Sequence, residues 1–374
     1  MNLFHRLWGF VRREAVLCIA ALCAALSMLI VPPGPGLPDC IDLRVLCLLW
    51  CLMLVVAGLT GCGLFSVLAQ RLLAGRKSLR LLALLLVLLP FFTAMLITND
   101  VALITFVPFA VFLLTLAKRE DLLAYIVVLQ TVAANLGSMA TPVGNPQNLY
   151  LYAHYNMTPG AFLGVMLPLT LVSLALLLLL CLRVRGDTVL VTFSQPARLQ
   201  SPRRMAALGL LFALCLLSVF RLLHFAAAAA AVLLYALLFD RPLLKQADYG
   251  LLLTFVCFFV FSGNLGQSPA VRAFLAALMD KSALYTALLS SQVISNVPAA
   301  LLLSGFTQDW RGLLAGVNLG GLGTPIASLA SLISLKLCLR AKGVRPGRYL
   351  AVFSLWNLVF LAVLLAFQAV FLRL

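Results

Sequence analysis

Long apolar stretches, separated by short polar or charged segments, run along almost the whole chain. A helix that spans a bilayer needs about 20 apolar residues, and most of these stretches reach or approach that length. The stretches interpreted as helices are 15–31, 41–60, 81–117, 121–139, 160–182, 205–223, 225–239, 249–263, 282–306, 312–335 and 349–372. The pattern therefore predicts an all-α polytopic membrane protein.

Two of these stretches carry a polar break near their middle. Residues 81–117 are too long for one crossing and are interrupted at Thr98–Asp100. Residues 282–306 are interrupted at Ser295–Pro298, where the sequence reads SNVP. A polar break in the middle of an apolar stretch favours a helix that enters the membrane and turns back, so we predict two re-entrant hairpins.

Two other stretches share an eight-residue motif, N-L-G-x-x-x-T-P. The motif occupies residues 135–142 and again residues 318–325. Glycine and proline in this combination interrupt a helix, although in membrane helices a single such site is often only a kink. Because the motif occurs twice, we predict two broken helices, at 121–148 and 312–335.

The distribution of basic residues supports this arrangement. If both hairpins return to the side that they entered from and every other stretch crosses once, 21 of the 27 Lys and Arg residues lie on one side. The other side receives Arg44, Arg221, Arg272, Lys281, Arg311 and Arg373. Basic residues concentrate in cytoplasmic loops. The split predicts about nine full crossings, with the N-terminus cytoplasmic and the C-terminus outside.

The two halves repeat each other with opposite orientation. Each half contains a hairpin followed by a broken helix, and the first hairpin opens to the inside while the second opens to the outside. The predicted segments are a first inverted repeat at 1–182, a cytoplasmic linker with one extra crossing helix at 183–224, and a second inverted repeat at 225–374.

The breaks are the candidate binding site. A helix interrupted at membrane depth has free N–H groups on one half and free carbonyls on the other, and these ends bind anions and cations. Transporters built from inverted repeats place such helices at the midplane, around the substrate. Amides and hydroxyls at the breaks offer oxygen ligands and hydrogen-bond donors. The candidate substrate-binding residues are Asn99, Thr141, Asn145, Asn296 and Thr324.

Two further asparagines stand at the start of the octets. Asn135 and Asn318 precede the breaks. Each side chain has two possible roles, which are to hydrogen-bond the freed backbone or to contact the solute. The sequence leaves both roles open.

Asp100 is the acidic residue that falls inside an apolar stretch, since the other acids lie at the ends of stretches or in loops. A carboxylate at membrane depth is costly and is a functional candidate by default. It can bind a coupling cation or carry a proton. The alternative is a structural role as the N-cap of the helix that follows.

Composition narrows the class of protein. Hydrophobic residues make up 64% of the chain, more than one water-soluble core can bury. The net charge of +16 is explained by cytoplasmic loops, so nucleic acid is not expected as a partner. Ten cysteines without a C-x-x-C pair, and only three histidines, give no pattern for a disulfide framework or a metal site other than sodium.

Enzymatic and ATP-driven functions are not expected. The chain has no H-E-x-x-H motif, no G-x-S-x-G motif with a partner histidine, and no second acid at membrane depth. It also has no Walker A motif, although a separate ATPase partner stays possible. We expect no cofactor apart from Na⁺ or H⁺ as a coupling ion.

Four motifs together resemble one known family. ITNDVALITFVPF, NLGSMATPVGNPQNL, QVISNVPAALLL and NLGGLGTPIASLASL are similar to the citrate-transporter-like branch of the ion transporter superfamily. Relatives of this branch include divalent anion/sodium symporters and arsenite efflux pumps. The short chain and tight loops resemble the uncharacterised bacterial inner-membrane anion transporters of the group. The resemblance covers most of the chain, from about residue 41 onward.

The resemblance implies secondary active transport with elevator-type alternating access, in the bacterial inner membrane and often as a homodimer. In the sodium-coupled symporters the hairpin tips read S-N-T and bind sodium together with the broken helices. The matching residues here are Thr98, Asn99 and Gly137 for one cation site, and Ser295, Asn296 and Gly320 for the other. The third position of the tip differs from the family pattern, because it is Asp100 in one half and Val297 in the other.

The expected function is secondary active transport of a small anion, either a citrate-like or dicarboxylate-like carboxylate or an inorganic oxyanion. The coupling ion is sodium or a proton. The alternatives are a cation/proton antiporter that uses Asp100 as proton carrier, or an arsenite-type efflux permease on the same scaffold.

Overall fold

The computed structural model describes residues 14–31, 40–186, 188–193, 195–341 and 344–372. The described part of the chain is almost entirely helical, which confirms the all-α prediction. The strands among these residues are β1 (Gly75–Ser78) and β2 (Thr188–Val191), which form a small antiparallel sheet. The sheet joins the loop before the first hairpin to the predicted linker.

The helices follow the apolar stretches and end at polar or helix-breaking residues. They are α1 (Ala15–Ile30), α2 (Leu43–Gly61), α3 (Leu64–Leu73), α4 (Leu79–Thr93), α5 (Asn99–Leu116), α6 (Leu123–Ser138), α7 (Pro146–His154), α8 (Pro159–Leu182), α9 (Pro202–Val219), α10 (Phe225–Phe239), α11 (Tyr249–Gln267), α12 (Pro269–Lys281), α13 (Ala283–Ile294), α14 (Asn296–Leu303), α15 (Trp310–Leu319), α16 (Leu329–Leu339) and α17 (Pro346–Phe367). Short 3₁₀ turns lie at Glu120–Leu122, Arg241–Gln246, Ser304–Phe306 and Pro325–Ala327, and a π-helical turn lies at Gln368–Leu372.

The outer surface of the bundle is apolar. Large side chains such as Leu29, Leu222 and Phe239 are more than three-quarters exposed. Among the described residues, seven helices are long and apolar enough to cross a membrane, or up to eight if the bent pair α12–α13, with its angle of 115°, counts as one crossing. An apolar surface of this extent is suited to lipid, and the chain is a multi-pass integral membrane protein.

The two octet regions lie at the centre of the molecule. Every residue of 126–140 and 142–152 is buried, and so is every residue of 312–322. The helices around them expose apolar side chains on one face and contact this centre with the other. Because residues here are enclosed by protein, an interrupted backbone is tolerated at this depth.

Each predicted hairpin consists of two helices that pack against each other. Helices α4 and α5 are separated by residues 94–98, and helices α13 and α14 meet at Ser295. Helices α3 and α12 and the small sheet are additions that the sequence interpretation did not include. The count of nine crossings, the inversion of the repeats and the domain boundaries stay predictions. The predicted positions of the two chain termini lie outside the described residues.

Candidate functional site

The tip of the first hairpin carries Asn99, which is buried at the start of α5. Its Nδ2 donates a hydrogen bond to Oδ1 of Asn135 at 2.9 Å. Its own Oδ1 accepts from the backbone N–H of Asp100 at 3.1 Å. Both ends of the Asn99 amide are therefore used, and the Nδ2 bond attaches the first tip to the first broken helix.

Asn135 connects the two halves of the molecule. Its Nδ2 lies 3.4 Å from Oγ of Ser331 and 3.5 Å from the carbonyl of Gly321, both in the second half. Its Oδ1 also accepts a hydrogen bond from Ser328 at 3.1 Å. The sequence left two roles open for Asn135, and in this structure it bonds polar groups at the first tip and the second break.

A second amide cluster joins the breaks directly. Asn145 caps α7 by accepting from the N–H of Asn148 at 2.9 Å, and it donates to Ser138 and to Asn318 at 3.2 and 3.3 Å. Asn318 donates to Oδ1 of Asn148 at 2.7 Å and to the carbonyl of Leu314. Hydrogen bonds in a low-dielectric interior are costly to leave unmade, so this cluster fixes the two breaks in register.

The two octet threonines make the same contact in each half. The Thr141 hydroxyl donates to the carbonyl of Met95 at 2.5 Å, and the Thr324 hydroxyl donates to the carbonyl of Gln292 at 3.3 Å. Met95 and Gln292 each stand four residues before the asparagine of a hairpin tip. Each threonine therefore attaches its break to the hairpin of its own half. Thr324 is exposed and Thr141 is half-buried.

The second tip differs from the first. Ser295 adopts φ of 72°, a conformation that is strained for a non-glycine residue and is found most often at functional sites. Its hydroxyl donates to the carbonyl of Ala327 at 3.2 Å. Asn296 is only 5% exposed, and among the described residues no group hydrogen-bonds its side-chain amide. An amide at the tip that no protein group engages is open to a solute or ion as its partner.

The two octet glycines allow close helix packing. A Cβ on Gly137 would collide with the backbone of Phe91 on α4. A Cβ on Gly320 would lie 2.7 Å from the side chain of Ser291 on α13. Each glycine therefore brings a break against the first helix of a hairpin, so both positions have a packing reason beside the predicted cation role.

Asp100 lies in the first turn of α5, and Thr98 is the N-cap residue. The N-cap alternative for Asp100 is therefore wrong, although a carboxylate in the first turn still interacts favourably with the helix dipole. Among the described residues, no hydrogen bond or ion pair to the Asp100 carboxylate is found. Its charge is available to a ligand.

A cavity of about 250 Å³ lies beside this tip. Its polar lining comprises Thr98, Asp100, Asn145, Gln246 and Asp248, and the remaining lining is apolar. In the part of the chain that the structure describes, no lysine, arginine or histidine lines it. Both charged groups are acidic, so the cavity suits a cation or an uncharged solute better than a free anion.

Four further side chains around the breaks were not assigned to the site from the sequence. The carboxamide of Gln292 contacts the backbone of the second break at Gly320, Leu322 and Thr324. The serines of α16 and the turn before it contact α6 at a spacing of three residues. The sequence features that could have indicated these residues are a single glutamine in an apolar stretch and serines spaced three apart, at Ser328, Ser331 and Ser334.

The predicted residues thus fall into four groups. Asn99, Asn145 and Asn296 are buried around the breaks, whereas Thr141, Thr324 and Ser295 bind backbone carbonyls there. Thr98 and Asp100 line the cavity. Gly137 and Gly320 pack against hairpin helices. No group of three or more His, Cys, Asp and Glu side chains suited to a metal ion occurs within the described ranges.

Known proteins resemble this chain across most of its length. A family model described as citrate transporter matches residues 5–308. The uncharacterized transporter MJ0456 of Methanocaldococcus jannaschii is 34% identical over 288 residues, which cover 76% of this chain and 78% of that protein. Inner membrane protein YbiR of Escherichia coli is 32% identical over 307 residues, covering 80% and 81%.

A shorter match links the chain to a plant protein. The silicon efflux transporter LSI3 of Oryza sativa is 36% identical over 146 residues. The match covers 38% of this chain and 29% of the rice protein.

Proposed function

Because the chain belongs to the citrate transporter family, we propose that it is a secondary active transporter that moves a small anion coupled to a sodium or proton gradient. The observation that carries this proposal is the buried polar cluster around the breaks. Asn135 bonds the first tip and the second break, and Asn318 bonds both asparagines of α7. A cluster of this kind at the centre of an apolar bundle is what a solute site at the midplane requires.

The proposed anion is held without a basic side chain. N–H groups at the starts of the half-helices and the free amide of Asn296 supply the donors. Each helix end is equivalent to roughly half a unit charge and contributes at most about 2 kcal/mol. A few such ends give modest affinity, so the anion binds together with its coupling cation. Asp100 is the proposed ligand of that cation or the carrier of the proton.

A second candidate is efflux of an uncharged weak oxyacid, which corresponds to the arsenite-type permease on this scaffold. The acidic lining of the cavity beside Asp100 supports it, because that lining repels free anions and accepts neutral hydroxyl-rich solutes. The partial match to a protein named as a silicon efflux transporter supports the same class.

Transport by purified protein in liposomes separates the two candidates. Citrate, succinate, sulfate, arsenite and silicic acid are tested under imposed sodium or proton gradients. The first candidate predicts gradient-driven accumulation of a carboxylate or sulfate. The second predicts proton-linked flux of arsenite or silicic acid at a pH where these acids are uncharged. Flux that depends on neither the sodium gradient nor the proton gradient contradicts secondary active transport.

We also propose a location and an assembly for the protein. We place the protein in the inner (plasma) membrane, with a cytoplasmic N-terminus and an external C-terminus, as a homodimer in the lipid bilayer. The name of the Escherichia coli relative and the distribution of basic residues support this location. Chemical crosslinking in native membranes tests the homodimer.

A further inference from the structure

The second break already contains a hydrogen-bond donor where a cation would bind. Helix α15 ends at Leu319, and its C-terminal end carries partial negative charge and free carbonyls. Nε2 of Gln292 donates to the carbonyl of Gly320 at 2.8 Å and to that of Leu322 at 2.9 Å. Oε1 of the same side chain accepts from the N–H of Thr324 at 2.9 Å. One carboxamide therefore binds groups on both sides of the break.

The first break has no equivalent contact from its hairpin. The residue four positions before the first tip is Met95, whose side chain has no N–H donor. The carbonyls of Met139 and Thr141 accept instead from Asn148 on α7, at the longer distances of 3.4 and 3.3 Å. The carbonyls of the first break are therefore bonded by α7, the helix that follows the break, and through longer hydrogen bonds.

The two halves also differ in the charge of their hairpin tips. The residue after the tip asparagine is Asp100 in the first half and Val297 in the second. The first half thus has an acidic group and no donor from its hairpin helix, while the second has a donor and no acidic group. A cation is favoured in the first half. In the second half a cation would have to displace an amide that already satisfies the two carbonyls.

We infer that this transporter couples solute movement to one cation per cycle, bound at the first tip, and that the Gln292 carboxamide permanently occupies the place of a second. The inference rests on the proposed function and specifies its coupling. It also assigns Gln292 as a positioning residue, which acts on the backbone of the second break.

Counting coupling cations tests the inference. The initial rate of transport in proteoliposomes is measured against sodium or proton concentration, whichever drives flux, at constant ionic strength with choline. We expect a Hill slope of about 1, because the slope is limited by the number of cooperating sites. A slope near 2 overturns the inference. Asp100→Asn should remove cation-driven accumulation at the cation concentration that half-saturates the wild-type protein, whereas accumulation that persists there at the wild-type rate reveals a second site and also overturns it.

Gln292→Met introduces into the second half the residue found in the first, and exposed Gln308→Met is the matched control. In Gln292→Met the carbonyls of Gly320 and Leu322 lose their amide donor and become available to a second cation. The Hill slope should therefore rise, whereas the control should keep the wild-type slope. If Gln292→Met keeps the wild-type Hill slope and half-saturating cation concentration, the proposed role of the Gln292 amide is wrong. If this variant does not fold, the wild-type and Asp100→Asn results still decide the cation count.

Failure of the proposed function is distinguishable from failure of this inference. A wild-type protein that transports no tested solute contradicts the function. In that event the thermal stability of detergent-purified protein is titrated with sodium chloride against choline chloride, and with pH. Stabilisation by one saturable cation site that Asp100→Asn removes supports the inference, and cation stabilisation that survives in Asp100→Asn overturns it.

Discussion

Asparagine is the residue type that builds the centre of this protein. Its side chain carries an acceptor and a two-proton donor with no net charge, so it can bond the ends of a broken helix without the desolvation cost of an ion. Asn135, Asn145 and Asn318 have their hydrogen-bonding groups engaged by protein. The side-chain amide of Asn296 makes no such bond among the described residues. We therefore expect the first three asparagines to hold the breaks and Asn296 to be open to a ligand.

Asn296→Ala should reduce gradient-driven uptake by about tenfold or more, because the free amide is lost while no protein hydrogen bond is broken. Asn99→Ala should reduce uptake too, with some loss of thermal stability, since its bond to Asn135 is removed. Asn264→Ala is the control for loss of a buried asparagine elsewhere, because Asn264 on α11 is buried and bonds Ser27 on α1. Uptake is measured in proteoliposomes at equal protein. Near-normal rates in both tip variants would contradict a site at the tips.

Asp100→Asn tests the role of the carboxylate. If Asp100 carries the coupling proton, the variant should lose proton-driven accumulation and keep solute exchange. If Asp100 is a sodium ligand, the half-saturating sodium concentration should rise and the pH dependence should stay. Driven uptake and counterflow exchange are measured side by side. Unchanged behaviour in both assays would limit Asp100 to its helix-dipole interaction.

At the scale of elements, each break is held by its neighbours rather than by its own sequence alone. The threonine of each octet donates to the hairpin of its own half, and the glycine of each octet brings the two elements into close contact. Helix α6 is enclosed by α4, α5, α16 and α17. The breaks thus behave as parts of two packed units, and a change in this packing should alter the site at a distance.

Gly137→Ala should destabilise the protein by roughly 1–3 kcal/mol, because the added methyl collides with the Phe91 backbone and α4 must shift. Gly164→Ala is the control, since no atom lies within 4 Å of a Cβ at that helical position. Thermal unfolding in detergent, followed by loss of monodisperse protein on heating, compares the two. Equal midpoints would show that α4 and α6 are not packed closely at this glycine.

At the scale of the whole molecule, the asymmetry of basic residues predicts the orientation in the membrane. Arg71 and Arg76 lie around α3 and β1, and β2 pairs with β1, so these elements share one face. The predicted cytoplasmic side therefore includes the small sheet. The loop before α15 belongs to the predicted outer side.

Single cysteines on a background free of the ten natural cysteines test this orientation. Gln308→Cys should react with a membrane-impermeant maleimide added to intact cells. Leu190→Cys, on an exposed position of β2, should react only after the membrane is opened. Labelling of Leu190→Cys from outside would reverse the arrangement.

The sequence alone determined the class of the protein and indicated where a binding site is expected. Apolar stretches of spanning length require a membrane, because no single water-soluble core can bury 64% of a chain. Two matched octets and two polar breaks mark positions where a membrane helix cannot continue, and such positions are tolerated only around a cavity or a packed polar centre. These signals are local, so they can be read without knowing the fold.

Tertiary structure decided which polar groups are hydrogen-bonded within the protein and which are free. Whether an amide is free or bonded depends on residues far away in sequence, as with Asn135 and Ser331 or Asn145 and Asn318. The same dependence separates the free amide of Asn296 from the engaged amide of Gln292, which lies four residues earlier. Hydrogen bonding between distant segments arises only when helices pack. The residues at the breaks could therefore be found in the sequence, and their individual roles could not.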